Sequence, residues 1–120
     1  MRTKREDNLL LRDIQYASMM LEQFTSDLTY QDIMVNVLVQ SACSWQLIVI
    51  GEAVRRLSES LKSKYHLIPW SDIVMNRNYL AHNYDTVSWK ILWDTITEDA
   101  IPLRAQISEI LKEEFPDSAF

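Results

Sequence analysis

Leu10, Ile14, Ala17, Leu21 and Phe24 recur at the three- and four-residue steps of an α-helix, while Arg12, Asp13, Gln15 and Glu22 fall on other faces. The pattern predicts an amphipathic first helix over roughly residues 4 to 25, broken by Thr25-Ser26-Asp27. Thr29 and Asp32 then stand at the spacing of a capping box, with Asp in place of the usual Glu, and open a second helix. This helix is expected to run from about residue 30 to about 62 and is apolar on nearly every side from Ile33 to Leu57. A helix without a clear polar face is surrounded by its own fold or by a partner. Homodimerisation and a central position in a monomeric bundle therefore both stay open. Gly51 in its interior costs helix stability, roughly 1 kcal/mol against Ala, so a close helix contact is expected there.

Ile68-Pro69-Trp70-Ser71-Asp72 reads as a turn into a third helix, with Pro69 ending what precedes it. Beyond Asp85-Thr86, Trp89, Leu92, Trp93 and Ile96 share one face of a further helix, and Leu103, Ile107, Ile110 and Leu111 extend the stripe past Pro102. Pro102 is expected to kink or restart that helix. The tail from Phe115 to Phe120 contains Pro116 and is expected to fray.

Composition narrows the class. A length of 120 residues fits one domain over 1–120. One Gly and three Pro are too few for a hairpin-rich β protein, so an all-α antiparallel bundle of four to five helices is expected. A net charge of −5 argues against a broadly basic nucleic-acid surface, so any RNA contact must use a local patch. Cys43 is the only cysteine; it excludes an internal disulfide, and its apolar setting reads as a buried inert thiol rather than a nucleophile. The charged N-terminal residues lack the apolar run of a secretory signal, and Asn36, Gln40, Ser41, Ser44 and Gln46 interrupt the most apolar stretch, so no membrane span and a cytoplasmic location are expected.

The chemistry concentrates between Arg77 and Tyr84. If residues 70 to 84 are helical, Trp70, Ile73, Val74, Leu80, Ala81 and Tyr84 all fall within about 60° of Arg77, placing a cation at the centre of an apolar arc. Such a residue must be paired, snorkel or line a cleft. Glu52 or another acid could neutralise it as a structural ion pair, and that reading stays beside the functional one. His82 falls about 140° round the helix from Arg77, so the two cannot meet on one straight face. A redirected helix end or a second copy of the chain could bring them together. Tyr84 returns to nearly the Arg77 angle, so its hydroxyl could share that cleft. His plus Arg without a carboxylate cluster suits metal-independent phosphodiester cleavage: His takes a proton from a ribose 2′-hydroxyl, and Arg holds the phosphate. DNA lacks that hydroxyl, so RNA is the expected substrate. His66 reads as an exposed residue of a connecting stretch.

Arg77-Asn78-Tyr79-Leu80-Ala81-His82-Asn83-Tyr84 resembles the Arg-x4-His-x-Tyr motif of the HepT-like toxins of the HEPN superfamily. Ile50-Gly51-Glu52-Ala53, Ile68-Pro69-Trp70 and the Trp93 helix are similar to the family's surroundings of that motif, so the resemblance covers nearly the whole chain. It implies a homodimeric helical bundle acting as an endoribonuclease that needs no metal or cofactor, with Arg77 and His82 of both subunits lining a cleft and Asn78 as an accessory residue. It also implies a type VII toxin–antitoxin pair, in which a nucleotidyltransferase antitoxin transfers AMP from ATP to the motif tyrosine, here Tyr84. The RNA substrate would be tRNA or mRNA. AMP on Tyr84 would place negative charge beside Arg77 and compete with RNA. The sequence departs from the family pattern at Trp45, where a basic residue is usual. The alternative reading is a non-catalytic helical dimerisation or binding module.

Overall fold

The first apolar stripe forms α1 (Lys4–Thr25), with Leu10, Ile14, Ala17 and Leu21 buried as their spacing predicts and Leu11 and Ser18 buried beside them. The computed structural model describes residues 4–117.

The long second helix is a correction: three helices stand in its place. They are α2 (Tyr30–Val35), α3 (Val37–Arg56) and α4 (Glu59–Lys64). Thr29 and Asp32 make the expected reciprocal capping box, with Thr29 N–H donating to the Asp32 carboxylate at 2.8 Å. The break after α2 comes from Asn36, whose extended backbone (φ −106°, ψ 97°) leaves the helix while its side chain accepts the Val39 N–H at 3.1 Å and caps α3. Gln40 closes the junction from within by donating to the Ile33 carbonyl at 2.7 Å. The second break, at Leu57-Ser58, is fixed from a distance. Asp7, buried at the start of α1, accepts the Ser58 backbone N–H at 2.9 Å and its hydroxyl at 2.6 Å. A helical-period pattern carries no signal of these side-chain competitors for the backbone.

The same Asp7–Ser58 contact sets α1 antiparallel to α3, because the start of one meets the end of the other. α5 spans Trp70–His82 and lies against α3. A short 3₁₀ turn at Tyr84–Thr86 leads to α6 (Trp89–Thr95), a π-helical turn at Ile96–Ala100 and α7 (Ile101–Glu114), which follow one another without leaving helical backbone. Pro102 lacks an N–H and would crowd the carbonyl four residues back, and the wider π turn immediately upstream is where the ladder absorbs this. Leu92, Ile96, Leu103, Ile107, Ile110 and Leu111 are buried as their stripe predicts, with Trp89 and Trp93 half-buried. Gln15 donates to Ser108 at 2.8 Å and Glu22 meets Arg104 at 3.7 Å, so α7 runs antiparallel to α1.

The result is all-α among the described residues: α1, α3, α5 and the α6–α7 rod form a bundle, with α2 and α4 as short connecting helices. α3 is long and apolar enough, at mean hydropathy 1.5, to cross a membrane by composition, and its polar residues do not prevent that. It packs here between α1 and α5, burying Gln40, Cys43, Ser44, Leu47 and Ile50, while Val37, Leu38 and Trp45 face outward. At the end of α7, Phe115 packs against the core, so the expected fraying does not begin there; residues 118–120 lie outside the described residues.

Candidate functional site

α5 is aimed by its first residue. Trp70 is buried, and its indole N–H donates to the carbonyls of Lys62 and Tyr65 at 3.2 and 3.1 Å, so the start of α5 is pinned to the end of α4. Ile73 and Leu80 then bury the helix against α3. Arg77 lies one turn beyond Ile73 on that side, and its side chain is 28% exposed.

Gly51 makes this possible. A Cβ at Gly51 would overlap the Cβ of Arg77 and lie 2.7 Å from its Cγ. The close helix contact expected at Gly51 is therefore present, and its occupant is the Arg77 stem. The missing side chain on α3 is the seat of the cation on α5.

The guanidinium is only partly matched. Its Nη1 donates to the Asn78 side-chain oxygen at 2.9 Å, and its Nη2 lies 3.6 Å from the Glu52 carboxylate. The buried Nε has no hydrogen-bond partner. Glu52 itself is held by its neighbour on α3, since Arg55 donates to both carboxylate oxygens at 2.6 and 3.2 Å. That hydrogen bond, with the charges of Arg55, Arg77 and Arg56, holds the Glu52 carboxyl below the usual carboxylate range. The anticipated Glu52 ion pair thus exists, but its geometry is long and the acid is already engaged. The terminal nitrogens of this partly exposed guanidinium still have N–H donors for a further oxygen ligand, while the buried Nε does not face solvent. Sequence reasoning missed Arg55, although Glu52 and Arg55 stand at the i,i+3 spacing of a helical ion pair.

The later part of the motif departs from the ideal-helix picture. α5 ends at His82, with Asn83 at φ −131°, ψ 30°, so Tyr84 lies past the helix and the angular argument that put it in Arg77's arc does not hold. Ala81, assigned to the apolar arc, is exposed, as are all of residues 81–86. This stretch stands clear of the packed bundle, which is why Ala81 is not buried. Tyr84 is 46% exposed, and its ring meets Trp89 edge-on, with centroids 6.3 Å apart. Tyr79 ties the turn down by accepting the Ser88 N–H at 3.1 Å, and Ser88 in turn caps α6.

His82 is exposed at the end of α5, and no hydrogen bond joins it to Arg77 among the described residues. The structure brings Arg77, Asn78 and Glu52 together and leaves His82 and Tyr84 on the open turn. Cys43 is buried, and burial pushes its thiol up to about 11, which keeps it protonated and unreactive. No group of three or more metal-ligating side chains occurs among the described residues.

Comparison with known proteins adds an independent line. The family described as "Ribonuclease HepT-like" matches residues 14–110. A Methanocaldococcus jannaschii protein whose name reads "Putative RNase" is 31% identical over 110 residues, covering 92% of this chain and 91% of that protein. The "Probable ribonuclease HepT" of Thermococcus cleftensis is 30% identical over 109 residues, covering 91% of this chain and 99% of the relative. A third relative, from Caldanaerobacter subterraneus and also named "Putative RNase", is 32% identical across 72% of this chain and 78% of its own length. No solved structure matches significantly.

Proposed function

Since the chain belongs to the HepT-like ribonuclease family, we propose that it is a metal-independent endoribonuclease whose Arg77 and His82 act in a cleft lined by two copies of the chain. The observation that carries this reading is Arg77. It is a cation set into the packed face of α5, seated on Gly51, with a buried donor left unused. The buried Nε is closed to a substrate, but the side chain is 28% exposed and its terminal nitrogens meet one amide oxygen and a carboxylate 3.6 Å away, so they keep N–H donors for a phosphate.

In this mechanism the scissile phosphate lies on the Arg77 guanidinium, with Asn78 fixing one edge of the fork. His82 takes the proton of the adjacent ribose 2′-hydroxyl. The 2′-oxygen bonds to phosphorus to close a cyclic phosphate, the bond to the 5′-oxygen breaks, and that oxygen leaves with a proton taken from solvent, to which His82 returns its own. Negative charge builds on the phosphoryl oxygens as this happens, and the guanidinium offsets it. Arg77 and His82 face different sides of one α5, so the second copy supplies the complementary group. The outward apolar face of α3, including Leu38 at 80% and Trp45 at 63% exposure, supports association of two chains.

The regulatory part of the proposal is that Tyr84 accepts AMP from ATP, with release of pyrophosphate, through a nucleotidyltransferase antitoxin. The half-exposed position of Tyr84, two residues beyond His82, supports this: adenylate there would bring bulk and negative charge to the open turn that carries His82. The test is incubation of purified protein with a tRNA pool in the presence of a chelator. Wild type is expected to cut and His82→Ala to be inactive; equal cleavage by both, or none by unmodified wild type, would refute the proposal.

A further inference from the structure

Between the end of α3, α4 and the start of α5 lies an open cleft of about 690 Å³ that the motif does not include. Its chemistry is uneven. Arg55, Lys62 and His66 supply cationic or hydrogen-bonding groups beside the acids Glu59 and Asp72, while exposed Pro69 and the edges of the mostly buried Ile68 and Trp70 form an apolar wall. The surrounding stretch is basic in an acidic chain: residues 55–66 hold Arg55, Arg56, Lys62 and Lys64 against one acid, Glu59, whereas the whole chain carries −5.

The cleft is also connected to the candidate site. Arg55 lines it and donates to Glu52, and Glu52 is the acid that faces Arg77 at 3.6 Å. One carboxylate therefore separates the cleft's cation from the cation proposed to hold the scissile phosphate. Lys62 is mostly buried, with 15% of its side chain exposed, and its ammonium is held by the Val54 carbonyl at 3.3 Å and by Glu59 at 3.1 Å. Glu59 is 89% exposed, so it can move aside for a stronger anion without disturbing the core.

We propose that this cleft is a subsite for a nucleotide of the RNA strand flanking the cleaved bond, with its phosphate on Arg55 and Lys62 and its base against the wall of Ile68, Pro69 and Trp70. The proposal rests on the ribonuclease reading and names where that RNA runs. An acidic protein needs such a local cationic stretch to hold a polyanion. A single-stranded nucleotide, with its bases unstacked, can set a charged edge and a flat apolar face into one groove, as a cleft of this composition requires. Asp72, which also lines the cleft, offers an acceptor for a ribose hydroxyl.

The test is fluorescence-anisotropy binding of a labelled single-stranded RNA oligonucleotide, with full-length His82→Ala as the parent so that the probe is not cut. Ser63 is exposed on α4 and lines the cleft, so changing its charge leaves the core untouched. Adding Ser63→Glu or His66→Glu to the parent is expected to weaken binding about fivefold, and Ser63→Lys to strengthen it by a similar factor. Lys62→Ala is expected to make the dependence of log Kd on log salt shallower by about 0.7. Because Lys62 also holds the Val54 carbonyl, a melting curve accompanies that variant, and the Ser63 pair decides the matter if it unfolds. Unchanged affinity in Ser63→Glu, His66→Glu and Ser63→Lys would overturn the subsite even if wild type cuts RNA. Failure of wild type to cut any RNA would instead remove the reading on which the subsite rests.

Discussion

α1 and α5 are both core helices of the same bundle, yet they solve their packing differently. α1 presents a largely apolar buried face that includes Ser18 and Thr25, and its one buried acid, Asp7, is doubly bonded to Ser58. α5 buries Trp70, Ile73 and Leu80 but places Arg77 among them, leaves its Nε unmatched, and runs out into six consecutive exposed residues. In α1 the unmatched buried group is one neutral hydroxyl, that of Ser18, whereas in α5 it belongs to a charged guanidinium. In α5 local stability is given up at one cation and one open turn, and such departures gather where a molecule binds or reacts.

This contrast can be broken by substitution. The largest effect is expected at the exposed end of α5: His82→Ala should lower RNA cleavage about 10²- to 10⁴-fold while leaving the thermal midpoint unchanged, since His82 is exposed. A parallel loss of stability would assign His82 to the scaffold instead. Leu21, fully buried on α1, should behave in the opposite way. Leu21→Ala is expected to cost about 2–5 kcal/mol in chemical denaturation and to leave the activity of the folded fraction intact. Gly51→Ala sharpens the comparison, because the added methyl displaces the Arg77 stem. It should destabilise by about 1–3 kcal/mol and also lower activity, coupling scaffold and site in a single position.

The legibility of the chain follows the same division. α1 and the buried stripe of α7 were readable because periodic apolar residues meet a partner along their whole length. The breaks at Asn36 and Ser58 were not, because they depend on side chains competing for backbone groups and, for Ser58, on an acid 51 residues away. Arg77's place on the packed face of α5 and the close approach at Gly51 were legible from helical angle and glycine cost alone. That the Arg77 stem fills the Gly51 gap was not, since it needs the register between α3 and α5. The position of Tyr84 was misread because an ideal helix was extended two residues past its real end at His82. Arg55's hold on Glu52 was legible in its spacing but competed with many other i,i+3 pairs.

The smallest effect is reserved for the far end of the bundle. Hydrogen bonds from Lys64 and Tyr65 hold the Glu114 carboxyl below its usual range. A depressed carboxyl contributes stability above its unfolded value and loses that contribution as pH falls through the folded one. Glu114→Gln should therefore lower stability by no more than about 1 kcal/mol at pH 7, and the difference from wild type should shrink as pH falls below the unfolded carboxyl range, about 4, in denaturation series. Activity should not change.

The central claim is that the α5 end is incomplete within one chain, so that Arg77 of one copy works with His82 of another. Mixing inactive Arg77→Ala and His82→Ala proteins under conditions that allow subunit exchange tests this directly. Cleavage is expected to return to roughly a quarter of wild type, because half of randomly exchanged dimers hold one intact composite cleft. A mixture that stays as inactive as its parents, despite demonstrated exchange, would contradict it.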